Sequence, residues 1–323
     1  GSDDVGAELE HAKAVVALAN QAYEASKKIA PSHLARIAVR LHAVDHPAFE
    51  QDVQTIVGGA GAALCHLMIP KVECLADVER AVRAVDAAAQ HAGLQQLVPL
   101  QVLIESAAAV HHVFEVAAHP RVQSLSFGLM DFVSSHGGAI PASAMGLSRG
   151  GVSEGPDQFS HPLVLRAKLE IASACHAHGK VPAHSVVAEF KDAAALSRAA
   201  TLAAQTLGFT RMLSIHPDQI RPILAAFAPT AHEIELACEI ILAAQAAQWA
   251  PVAVQGKLQD RASYRYFWQV LERAKATGRP LPPQAQAFSP IARWKRCAWT
   301  CRSPPHGGCI LQGHPSAGSA RRR

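Results

Sequence analysis

Aromatic residues are scarce in this chain: Phe, Trp and Tyr make up 5% of its 323 residues, with four Trp and three Tyr. Half of the residues are hydrophobic all the same, so the core has to be aliphatic. Ala-rich helices packed on Val, Leu and Ile strands suit that composition better than a β-sandwich does. No apolar run reaches the ~18 residues needed to span a bilayer, and no leader peptide is recognisable. The sequence therefore reads as a soluble, cytoplasmic protein with no membrane partner. A G-x-G-x-x-G after a strand is also missing. Gly58-Gly-Ala-Gly61 precedes an apolar run instead of following one, so a dinucleotide site is not expected. Acidic residues are absent from 291–323, which holds seven of the 30 Lys and Arg. Without that stretch the formal charge of +4 reverses to slight acidity, and nucleic acid loses its electrostatic support as a partner. The body's cysteines, at 65, 74, 175 and 238, are far apart in sequence and lie in apolar runs, the pattern of reduced, buried thiols.

What is present is an alternation of helical and strand patterns. Residues 7–28 have apolar positions at helical spacing and end in Lys27-Lys28, which predicts an amphipathic helix. Ile37–Ala43, Leu64–Lys71, Leu97–Glu105, Ser124–Asp131, Val181–Val187 and Met212–His216 read as strands. Helices are expected between them, a helix near 72–93 being stopped by Gly93. Further helices are expected over 107–118, 161–178, 192–207, 231–248 and 261–276. Six strands alternating with helices predict a parallel sheet with right-handed crossovers. The Gly- and Ser-rich stretch after Asp131 is long for a compact domain, which marks a functional or mobile loop. The domain reading is a barrel-type unit over 1–228, a helical segment over 229–279 and a Pro/Gly/Arg-rich tail over 280–323 without periodicity, expected to be disordered. Cys297, Cys301, Cys309 and His314 in that tail match no common zinc spacing.

Two of the apolar runs end in a carboxylate. Leu97-Val-Pro-Leu-Gln-Val-Leu-Ile-Glu105 and Ser124-Leu-Ser-Phe-Gly-Leu-Met-Asp131 lie one strand–helix–strand unit apart. As neighbouring parallel strands they would set Glu105 and Asp131 side by side at the carboxyl ends, where α/β folds place their chemistry. Two close carboxylates repel, and one pKa rises unless a cation sits between them. A divalent metal is the first expectation, against the alternative that both acids merely start the following helices. Arg40 and His42 lie at the end of another strand run. His42, His66 and His216 could form a nitrogen ligand set, but oxygen ligands already account for the site. Lys71 and Glu73 are expected to pair with each other or to seat the barrel.

Taken in order, Val39-Arg-Leu-His42, Ile69-Pro-Lys-Val-Glu73, Leu103-Ile-Glu-Ser106, Phe127-Gly-Leu-Met-Asp131, the run from Gly208 to Ile220 and Gly256-Lys-Leu-Gln-Asp260 resemble the HpcH/HpaI aldolase and citrate lyase beta-subunit superfamily. The likeness is to its malyl-, citramalyl- and citryl-CoA lyases in particular. The resemblance runs over residues 7–276. It implies a TIM-type (β/α)8 barrel with a C-terminal helical lid, assembled as a homotrimer or hexamer. It further implies Mg2+ held by Glu105 and Asp131, Arg40 on the reacting carbonyl, and Asp260 as the acid/base group reaching a neighbouring subunit's site. The implied reaction splits a 3-hydroxyacyl-CoA into acetyl-CoA and a 2-oxo acid. A CoA-independent, pyruvate-type aldolase on the same barrel is the nearest alternative, and an inactive or purely associating barrel the alternative of another class. The chain departs from the resemblance in three places. The family's first two strands have no counterpart beyond Gly1–Gly6, where Asp3 and Asp4 are the remnant of an acidic motif. His184 stands where relatives carry Asp, and it is given no catalytic role. Nothing in the family matches the tail after 290.

Overall fold

A computed structural model describes residues 7–29, 36–148, 155–189 and 191–286. The described residues fall into two compact units that divide between Ala228 and Pro229. Asp3 and Asp4, the cysteines and histidine of the tail, and most of the tail itself lie outside the described residues.

The first unit alternates strands and helices along its whole length. Helix α1 (Glu8–Ile29) carries Glu8 and Glu10 in its first turn and Lys27 and Lys28 in its last, each sign at the end that suits the helix dipole. Then follow β1 (Ile37–Arg40), α2 (Phe49–Ala60), β2 (Leu64–Ile69), α3 (Leu75–His91), β3 (Leu100–Ile104), α4 (Ala107–His111), α5 (Val113–Ala118), β4 (Val122–Phe127) and α6 (Leu129–Ser134). After the long connection come α7 (Pro162–Ala177), β5 (Val181–His184), α8 (Ala193–Gln205), β6 (Arg211–Met212) and α9 (Ile220–Phe227).

All six strands run parallel in the order β1-β2-β3-β4-β5-β6. A doubly wound sheet reverses its strand order at a switch point; this one never reverses, so right-handed crossovers keep the helices on one face. The sheet is also rolled. His66 on β2 is held below the ordinary imidazole range first by burial, which outweighs a bond from Gln101, and then by the charge of Arg211 on β6. Four strand spacings of a flat sheet would set those strands ~19 Å apart, beyond the range over which an exposed charge acts. The result is an α/β arc of the TIM-like kind, its outer face packed on the helices through Leu67, Ile69, Val102, Ile104, Leu125 and Phe127.

The strands are shorter than their apolar runs suggest, because the last residues of each run turn into the following loop or helix. The largest correction concerns Asp131: β4 stops at Phe127, and Asp131 is the third residue of α6. The helix expected over 107–118 is broken at His112 into α4 and α5. Gly93, at φ +67, ends the α3 segment as expected.

The second unit has its own core around Ile234, Ile240, Ile241, Tyr264, Val270 and Leu271. It consists of α10 (Ala231–Ala246), the hairpin β7 (Val252–Val254) and β8 (Lys257–Gln259), α11 (Arg261–Ala276) and α12 (Pro283–Gln286). Thr230 and Glu233 form a capping box that starts α10. The buried Tyr264 hydroxyl donates to the carbonyls of Ala250 and Gln259 at 2.7 and 3.0 Å.

Candidate active site

The carboxyl end of β3 delivers Glu105 to the rim of the arc, where it is 8% exposed. Its Oε2 accepts the backbone N–H of Lys71 at 2.7 Å. Lys71 itself has φ +53, in the left-handed region that an L side chain enters only at a cost. On the other side lies Gly128, whose N–H donates to the Ile104 carbonyl at 2.9 Å. A Cβ on Gly128 would sit 2.6 Å from Glu105 Oε1, so only glycine leaves room for the carboxylate there. Ser106, next in the chain, N-caps α4 by accepting the Ala109 N–H at 3.0 Å. The helix is thus started by Ser106, and neither Glu105 nor Asp131 caps the helix that follows it.

Glu105 is pushed above the usual carboxylate range, first by burial. The Lys71 N–H opposes the shift, the Asp131 carboxylate adds to it, and Arg40 and Lys71 draw it back. The repulsion expected between the two acids is therefore present, though second in rank to desolvation. Asp131 is exposed, on the first turn of α6. Arg40 is the exposed last residue of β1. Its Cα pairs with Met68, which pairs with Gln101, so it starts four residues below Glu105. Its long side chain, not its backbone, brings the cation near the acid.

Arg40 and Asp131 thus both lie near enough to act on the Glu105 charge. Asp260 belongs to the second unit, where it N-caps α11: Oδ1 accepts from Ala262 at 3.0 Å and from Ser263 at 3.5 Å. The three strand-associated histidines do not form a ligand set. His42 Nδ1 lies 2.5 Å from the buried Asp52 and its ring stacks on His46 at 4.2 Å. His66 Nδ1 lies 3.2 Å from Cys65 Sγ. His216 accepts from the Asp218 N–H at 3.2 Å. Glu73 does not pair with Lys71; its Oε2 accepts the Ser106 hydroxyl at 2.7 Å.

His184 faces the helix layer, fully buried, stacked on Phe159 at 5.4 Å and edge-on to Phe209 at 5.0 Å. Burial and the nearby Lys168 charge hold it well below the ordinary imidazole range. Lys168, on α7, is just as buried and donates to the Gln158 carbonyl and to Gln158 Oε1, both at 2.9 Å.

Among the described residues no three His, Cys, Asp or Glu side chains gather as a metal site. A hard divalent cation needs no such group: one or two carboxylates suffice when substrate and water supply the remaining oxygens. A buried, desolvated carboxylate with a second acid beside it fits that requirement.

The residues that sequence reading passed over are the Lys71 N–H and Gly128. An isolated glycine directly after a strand is a legible mark of close approach. Nothing in Ile69-Pro-Lys-Val-Glu73 announces a left-handed lysine.

The model of the HpcH/HpaI aldolase/citrate lyase family matches residues 1–217. The chain belongs to this family. With it the chain is a carbon–carbon lyase. An L-malyl-CoA/beta-methylmalyl-CoA lyase of Cereibacter sphaeroides is 32% identical over 246 residues, covering 74% of this chain and 76% of that one. The crystal structure of a citrate lyase from Burkholderia xenovorans LB400 is similar to this lyase with a TM-score of 0.75 at 45% identity, covering 88% of this chain and 85% of that one. Protein CitE from Mycobacterium tuberculosis, in complex with magnesium, acetoacetate and coenzyme A, has a TM-score of 0.55 at 21% identity, covering 74% and 78%; that likeness is one of fold. Among the described residues no helix of this family member is long and apolar enough to cross a membrane.

Proposed function

We propose that this family member cleaves a 3-hydroxyacyl-CoA of the malyl, citramalyl or citryl type into acetyl-CoA and a 2-oxo acid, with Mg2+ as cofactor. The observation that carries the reading is Glu105: a buried carboxylate at a strand's carboxyl end, fixed by a backbone N–H, with Arg40 and Asp131 acting on it. The Cereibacter sphaeroides relative, a malyl-CoA lyase by name, supports the substrate class.

Glu105 and Asp131 are the residues that would hold the cation. When bound, the cation supplies a hard Lewis acid for the carboxylate and carbonyl oxygens of the 2-oxo acid. Breaking the C–C bond leaves negative charge on the thioester oxygen of the acetyl fragment. Arg40, permanently protonated, stabilises that charge, a role worth ~3 kcal/mol for a comparable oxyanion donor. Asp260 moves the proton at the acetyl methyl carbon, from a C-terminal segment that acts as a lid on a neighbouring subunit's site. The arc of six strands belongs to an eight-stranded barrel, the enzyme is a trimer or hexamer, and it works in the cytoplasm.

The test is calorimetric titration of the full chain with Mg2+ and glyoxylate or pyruvate, followed by product analysis with malyl- and citramalyl-CoA. Mg2+-dependent binding and release of acetyl-CoA are expected. A folded chain that binds neither, or that cleaves only free 4-hydroxy-2-oxo acids, sinks the reading. Asp260→Asn separates the two roles of that residue: Asn keeps the helix cap but cannot carry the proton. Turnover is expected to fall ~100-fold or more with the melting temperature unchanged.

A further inference from the structure

The segment joining β2 to α3 does more than connect them. It is fixed from α3 by Asp77, whose Oδ2 accepts the N–H groups of Glu73 at 2.9 Å and Cys74 at 3.2 Å. It is then fastened to the corner between β3 and α4 at two points, one on each side of the Glu105–Ser106 peptide. The first is the Lys71 N–H on Glu105 Oε2 at 2.7 Å, and the second is the Ser106 hydroxyl donating to Glu73 Oε2, also at 2.7 Å.

Lys71, at the first anchor, sits at φ +53. A lysine relaxes out of that region unless its surroundings hold it there, and such held residues concentrate at ligand sites. Proline at position 70 restricts the chain just before it. The strain turns the Lys71 N–H inward onto the carboxylate. On the far side Gly128 leaves no slack, since a Cβ there would already meet Glu105 Oε1 at 2.6 Å. The carboxylate is thus set between the Lys71 backbone donor and the bare Cα of Gly128.

We propose that Glu73 is a positioning residue: by gripping Ser106 it holds the β2–α3 segment in the strained conformation that aims the Lys71 N–H at Glu105, and so sets the Glu105 carboxylate for a divalent cation. The last step rests on the reading of Glu105 as a cation ligand; the clamp itself does not. Partners that orient a ligating carboxylate typically alter metal affinity 10- to 100-fold when removed. The lower end fits here because Glu73 is exposed and water competes for Ser106.

The test compares Glu73→Ala and Glu73→Gln in the full chain by three measurements. These are hydrogen exchange of the Lys71 amide without metal, Mg2+ affinity by calorimetry, and the melting temperature. In Glu73→Ala the Lys71 amide is expected to exchange faster and Mg2+ to bind about 10-fold more weakly, with melting unchanged. Glu73→Gln, whose amide oxygen still accepts the Ser106 hydroxyl, is expected to match the parent in all three. Parent-like Lys71 exchange in Glu73→Ala overturns the proposal. So does a glutamine variant that behaves like alanine, because the effect would then come from charge alone. If the parent binds no Mg2+ while the exchange results come out as expected, the cation reading fails and the clamp stands.

Discussion

Glu105 and Lys168 are both charged residues buried in the same unit, and they are treated in opposite ways. Lys168 is 0% exposed and is given two carbonyl-type acceptors from Gln158 with the Phe159 ring 4.0 Å away. Glu105 is placed at the rim with a like charge beside it and one strained backbone donor. A buried ion surrounded by its own partners fixes structure; one left with a competing charge stores electrostatic energy that a cation can release. On this contrast Lys168 ties α7 to the preceding loop, and Glu105 is the carboxylate we propose as a cation ligand.

The comparison breaks most readily at Glu105. Glu105→Gln keeps an acceptor for the Lys71 N–H but removes the charge. A loss of at least ~100-fold in kcat/KM is expected, the upper range for residues that merely support a metal ligand, with melting unchanged or raised. The same measurements on Lys168→Met should give the reverse pattern. Two buried acceptors of Gln158 lose their donor, costing about 2 kcal/mol, while kcat is kept in the folded fraction.

The pH dependence sharpens the Lys168 side further. Burial holds the ammonium well below its ordinary value, so between the native and the free value the unfolded chain binds the extra proton. Parent stability therefore rises with pH toward the free value of about 10.5. The methionine variant lacks the Lys168 share of this rise, and the gap in melting temperature between the two should widen as pH increases.

A smaller effect is expected from Gly128→Ala, which pushes a methyl group against Glu105 Oε1. About a 10-fold loss in Mg2+ affinity should follow, checked by calorimetry on a variant whose far-ultraviolet dichroism matches the parent's. The effect of His184→Phe is confined to acid pH. His184 is depressed by burial first and by Lys168 second, so native stability is present above the free imidazole value of about 6.5 and is lost as pH falls below it, at up to ~1.4 kcal/mol per pH unit. The phenylalanine variant should lose less melting temperature than the parent from pH 6.5 to 5, the remainder coming from His66 and His119, which burial also holds low.

How far these features could be read from sequence varies residue by residue. Glu105 was legible because a run of apolar residues that stops at a charge marks the end of a buried strand, and Arg40 only as a charge near the end of the run Ile37–Ala43; the parallel alternation followed from the helical spacing between runs. Asp131 was legible as an acid but not in its setting: Gly128 ends β4 early, and α6 is too short to show a period of its own. The strain at Lys71 left no trace, since it is imposed by the groups around it. Lys168 was readable in principle. It falls with Val164, Ile171 and Cys175 on one stripe of α7, and a lysine among apolar neighbours at that spacing announces a buried charge.

The unreversed strand order has a kinetic side. Each sheet pairing joins neighbours in the chain, so the arc can be assembled one crossover at a time from any starting pair, without waiting for distant strands to meet. The slowest closure is the crossing from β4 to β5, roughly three times as long as that from β3 to β4, yet loop entropy makes it only about 1 kcal/mol dearer. That crossing carries the whole stretch from Asp131 through Gln158 to Lys168. Changes in length along that crossing can therefore be absorbed at little expense to the rate of folding.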